Sequence, residues 1–155
     1  MEILLGYCLI LHYTADFQLQ SRDMAKNKST NVLVLFKHAL IIFTVFTLGL
    51  GIAYGRKFGV NVWIFSFLNA IIHMFIDGTI WNIYKWLVTR KLEKDVVGVI
   101  KLDPEQHYPP IQIIPIEKRL KEYKFWEDSM FYDTIGLDQF LHVLTIIALG
   151  GIFLK

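Results

Sequence analysis

Four of the chain's five histidines lie inside apolar stretches, and three of them have an aspartate four residues away. The pairs are His12/Asp16, His73/Asp77 and Asp138/His142; the fourth such histidine is His38. A spacing of four puts both side chains on one face of a helix. An aspartate at mid-membrane costs on the order of 3 kcal/mol, whereas a metal held by such groups returns on the order of 10 kcal/mol. The chemistry expected is therefore a metal centre built between membrane helices. Its ligands would be His12, Asp16, His38, His73, Asp77, Asp138 and His142. Seven groups exceed what one tetrahedral zinc needs, and would suit one ion or two bridged by a carboxylate or hydroxide. Nitrogen and oxygen donors without a thiolate favour zinc first, then manganese or iron.

The elements that must position these groups read as membrane spans. At 155 residues the chain is one domain by length, and 54% hydrophobic residues with a mean hydropathy of +0.42 exceed the needs of a small soluble core. The apolar residues gather in four blocks, about 2–20, 32–54, 60–88 and 137–154, each long enough to cross a bilayer. The fold expected is all-α, a polytopic bundle of four transmembrane helices. The amino-terminal block lacks a basic leader and a cleavage pattern, so it reads as a retained span. Between the third and fourth blocks, residues 89–136 read as a peripheral segment on the membrane surface. It holds an extended stretch over 109–115, a short helix over 116–126, and Phe125, Trp126, Phe131 and Tyr132 at headgroup level. His107 falls in this segment and reads as solvated.

Arg22, Lys26 and Lys28 follow the first span, and a run of lysines and arginines from Lys85 to Lys124 follows the third. The positive-inside rule then places both termini outside the cytoplasm. In that topology His12, Asp16, His38, Asp138 and His142 lie roughly one to eight residues from the cytoplasmic helix ends, within one slab at ~1.5 Å per residue. His73 and Asp77 join them if the third helix projects past the bilayer. Gln20 and Gln139 are placed to orient ligands from behind, and Lys26 and Lys37 flank the opening, where either could meet a phosphate. Gly51-x-x-x-Gly55 reads as a close helix contact. A net charge of +2 argues against nucleic acid, and the lone Cys8 forms no internal disulfide.

The pattern His12-x-x-Ala15-Asp16-Phe17-x-x-Gln20, with Lys26, His38, His73-x-x-x-Asp77 and Asp138-Gln139-x-x-His142, resembles a family of uncharacterised small integral membrane proteins of bacteria and bacteriophages. The resemblance covers nearly the whole chain. It implies a bacterial or phage origin and a membrane location, and brings no activity with it. A looser similarity is to membrane-bound metal-dependent hydrolases and zinc phospholipases C, whose helical His-x-x-x-Asp pairs supply ligands. His12/Asp16 and His73/Asp77 match that pattern, and Asp138/His142 reverses it.

The function expected is a metal-dependent hydrolase of a phospholipid or other membrane phosphoester in the bacterial inner membrane. Asp16 or Asp138 would serve as general base, and Lys26 or Lys37 would neutralise the substrate phosphate. Two alternatives stand beside it. One is metal or proton transport through the same groups. The other is a metal-stapled structural subunit, as a homo-oligomer or with a partner protein held through residues 89–136.

Overall fold

The computed structural model describes residues 2–101 and 115–154, with side chains of 95–101 outside the description. Of the extended stretch expected over 109–115, residues 109–114 lie outside the described residues, as does His107. Every regular element among the described residues is a helix. Helix α1 (Glu2–Tyr13) runs into a π-helical turn (Thr14–Gln18), followed by the short α2 (Arg22–Asn27) and then α3 (Val32–Tyr54). Helix α4 (Val60–Lys101) is followed by α5 (Ile116–Glu122), a 3-10 turn (Phe125–Glu127) and α6 (Ser129–Phe153). Three stretches, Val32–Lys57, Val60–Lys94 and Ser129–Phe153, are helices long and apolar enough to cross a membrane.

Local chemistry sets the helix ends. Ser21 caps α2, its Oγ accepting from the Met24 N–H at 3.1 Å, and Asn31 caps α3 by accepting from Leu33 and Val34. Gly55 ends α3 at φ +51°, a conformation that costs glycine little. Gly51 lies inside α3 and Gly55 just past its end, so the pair makes no helix–helix contact among the described residues. Gly51 faces the Phe58 ring of its own hairpin, and no described side chain would meet a Cβ on Gly55.

Each long helix turns one stripe inward at four-residue steps. On α3 the stripe is His38, Ile42, Phe46 and Leu50, and on α6 it is Asp138, His142, Ile146 and Leu149 with one step of three. On α4 the stripe runs through Val62, Ser66, Asn69, His73 and Asp77, and α1 contributes Cys8, Leu11 and His12. The outward faces are also apolar: Val32 is 78% exposed, Ile52 80% and Phe75 66%. Apolar side chains around the whole circumference suit a lipid surround.

Two spans differ from the expected boundaries. Helix α4 continues past Val88 to Lys101, and α6 begins at Ser129, eight residues before the expected start. The extra turns are not loose. Tyr84, Val88 and Leu92 form a second core with Trp81, Leu120, Tyr123, Phe125, Met130 and Phe131. Much of the expected interfacial segment is therefore helix that packs on helix. The short helix expected over 116–126 is split between α5 and the 3-10 turn.

Asp128 ties this second core together. Its carboxylate caps α6 by accepting from the Met130 N–H at 3.3 Å, and it accepts from the Tyr123 hydroxyl at 2.6 Å and from Lys91 at 3.4 Å. The Tyr123 bond, outweighing partial burial, holds the Asp128 carboxyl below its ordinary range. A depressed carboxyl pKa adds stability above its unfolded value, near pH 4, which is lost as pH falls through the folded value. Asp128→Ala is expected to cost about 1 kcal/mol at neutral pH and to flatten the acid limb of thermal unfolding between about pH 5 and 3. Melting in detergent across that range checks both.

Candidate metal centre

Four helices, α1, α3, α4 and α6, and the π turn bring the seven expected groups to one buried place. Asp16 sits in the π turn, where Leu19 N–H donates to Thr14 O at 3.0 Å and the wide turn buries Ala15 and Asp16 side by side. Such turns recur at functional sites because they re-aim a side chain without ending the helix. His38 enters from the first turns of α3, His73 and Asp77 from the middle of α4, and Asp138 and His142 from α6. All seven expected ligands are buried, and Asp77 is 0% exposed.

The distances define a set of four donors. His38 Nε2 lies 3.0 Å from His73 Nε2, 3.1 Å from Asp16 Oδ1 and 3.3 Å from Asp77 Oδ2. His73 Nε2 lies 3.6 Å from Asp16 Oδ1 and 3.3 Å from Asp77 Oδ2. A tetrahedral ion with bonds of about 2.0–2.1 Å holds its donors about 3.4 Å apart. Five edges of the Asp16–His38–His73–Asp77 tetrahedron thus already stand near the separation an ion would impose. A second group shares Asp77: His142 Nε2 is 3.8 Å from Asp77 Oδ1 and 3.6 Å from Asp138 Oδ1. Asp77 therefore offers one oxygen to each group. These residues could hold a metal ion.

Asp138 Oδ1 and His142 Nε2, both buried and facing this place, have no hydrogen-bond partner among the described residues, and the Asp77 oxygens meet their neighbours only as ion-pair contacts. Burying polar atoms without partners is costly, and a shared cation would satisfy them together.

His12 stands one step back from the two donor groups. Its Nε2 meets Gln139 Oε1 at 3.3 Å and is 4.0 Å from Asp16 Oδ2, while its ring packs 5.5 Å from that of His73 and 5.3 Å from that of His142. Gln139 bonds to two of the carboxylates: its Nε2 donates to Asp16 Oδ2 at 3.0 Å and to Asp138 Oδ2 at 3.2 Å. Gln20 is half-buried and has no bond to a ligand among the described residues.

Lys26 and Lys37 are exposed. Lys28, which the sequence reading treated only as a loop charge, is buried and enters the centre instead. Its Nζ is 2.8 Å from Asp77 Oδ1 and 3.3 Å from Asp16 Oδ1. Burial works against the ammonium, but the Asp77 and Asp16 carboxylates outweigh it and hold its pKa above the ordinary lysine value.

Residues 4–154, nearly the whole chain and every group named above, match a family described as proteins of unknown function, DUF3307. The chain belongs to the DUF3307 family. No curated protein and no solved structure matches it significantly. Membership therefore brings this DUF3307 member no assigned activity, and its chemistry has to be read from the buried histidines, aspartates and lysine.

Proposed function

We propose that the chain is a multi-pass membrane protein that hydrolyses a phosphoester of a membrane lipid at a divalent-metal centre, with zinc the ion its donors suit best. The observation that carries the reading is the set of five donor separations of 3.0–3.6 Å among Asp16, His38, His73 and Asp77. In this reading α1 with its π turn makes a fourth crossing of a bacterial inner membrane. Both termini lie outside the cytoplasm, and the centre faces the inner leaflet near the 19–31 connection.

A bound ion would supply Lewis acidity to a phosphoryl oxygen and to the attacking water. The protein's own groups do the rest. Asp138 Oδ1, unpartnered and aimed inward, takes the proton from that water, while Gln139 fixes the other oxygen of the same carboxylate. Asp16 serves as ligand and not as base, because its Oδ1 faces both His38 and His73. The Lys28 ammonium offsets charge on the phosphoryl group, the role the sequence suggested for Lys26 or Lys37.

The test is release of phosphorylated headgroup from liposomes of phosphatidylethanolamine and phosphatidylglycerol containing the purified protein, with and without zinc. Asp138→Asn should lower turnover at least about 100-fold, the usual worth of a general base, and leave zinc content unchanged. Absence of zinc-dependent turnover of either lipid overturns the reading.

One observation favours ion or proton transport as a second reading. The inward face of α4 continues from His73 through Asn69 to Ser66, with Thr47 buried on α3. Asn69 Nδ2, Ser66 Oγ and Thr47 Oγ1 have no partner among the described residues. Zinc or proton flux into sealed vesicles, abolished by Asn69→Leu, would establish it.

A further inference from the structure

We infer that Lys28 is a built-in cation of the centre, standing where a second metal ion would go and limiting the site to one divalent ion. The inference rests on the metal-centre reading above and adds the number of ions and the residue that sets it.

Three observations carry it. First, the Lys28 Nζ sits 2.8 Å from Asp77 Oδ1, the same oxygen that joins His142 and Asp138 in the second donor group. A divalent ion on that oxygen would lie within a few ångströms of the ammonium, in surroundings too dry to screen the repulsion. Second, the charges balance for one ion. With neutral imidazoles, the carboxylates of Asp16, Asp77 and Asp138 and the ammonium of Lys28 leave two negative charges, which one divalent cation cancels. A second ion would leave the buried centre two charges positive, a state that needs two further anions.

Third, the local chain is built to deliver this side chain. Helix α2 buries none of its own residues, yet Lys28 at its C-cap is the one buried lysine among the described residues. Its backbone N–H donates to Met24 O at 2.9 Å, which fixes the point from which the side chain reaches inward. Asp16 and Asp77, on two different elements, share the ammonium, so the connection is held to the bundle through it.

The test counts zinc per chain by elemental analysis of the full-length protein in detergent, after zinc loading and desalting. Wild type is expected to hold one zinc and Lys28→Met two. Lys28→Arg, which keeps the charge, is expected to hold one. Lys28→Met should be less stable than wild type without zinc and should gain more from added zinc in a thermal melt. Two ions in wild type, one in Lys28→Met, or a Lys28→Met protein that zinc fails to stabilise each overturns the inference. Absence of zinc in all three proteins removes the metal centre itself, a failure distinct from a wrong count.

Discussion

Asp77→Asn is expected to lose bound metal almost completely, with apparent affinity falling by more than about 100-fold, beyond what loss of a supporting residue behind a ligand brings. The substitution keeps the shape of the side chain and removes its charge. Asp77 Oδ2 faces His38 and His73 at 3.3 Å each, and Oδ1 faces Lys28 and His142. An amide can put an acceptor toward only one of those sides and must turn an N–H₂ toward the other. Toward Lys28 that donor meets another donor; toward the imidazoles it stands where a cation would bind. Removing one partner of a buried ion pair costs about 3–5 kcal/mol. Elemental analysis and a thermal melt in the same detergent check both effects. Retention of metal with an unchanged melt would refute the bridging role given to Asp77.

Removal of metal is the second large effect. A chelator is expected to destabilise the protein by about 4 kcal/mol relative to protein in ion at 1,000 times its dissociation constant, since binding energy specific to the native state appears as stability. The physical source is the crowding of Asp16, Asp77 and Asp138 around one place, where Lys28 alone leaves them under-neutralised. Helices α1, α3, α4 and α6 meet there, so repulsion between the carboxylates pushes all of them apart. The check is a melt with and without chelator, followed by zinc, manganese or iron(II) added back. Zinc should restore the midpoint at the lowest concentration. A midpoint indifferent to chelator and to added ions would oppose a metal centre.

Sequence was most informative where signals are local. The 32–54 span coincides with α3 because Asn31 caps one end and a turn glycine, Gly55, stops the other. It was least informative where contacts are tertiary. Hydropathy ends the third span near Val88 because the residues beyond are mixed in character. Yet Tyr84, Val88 and Leu92, at four-residue steps, have partners from α5 to α6 that prolong the helix. The inward stripes are hard to see from apolar periodicity when the outward faces are apolar too, and it was the histidines and aspartates that marked them. Those same residues made most of the centre legible. Lys28 was not: between two spans it looks like Lys26, and only the folded arrangement of Asp16 and Asp77 distinguishes them. The step back taken by His12 was equally hidden, because its partner Gln139 lies 127 residues away.

Helix α4 has a mechanical consequence. Its 42 residues make a rod of about 63 Å, roughly twice the hydrocarbon thickness of a bilayer. One continuous backbone carries His73 and Asp77 near its middle and Val88 and Leu92 further along. A tilt imposed at the Leu92 end would therefore be delivered to His73 and Asp77 as a lever delivers it. A load on the second core would act on the spacing of the buried donors directly, without any intervening hinge.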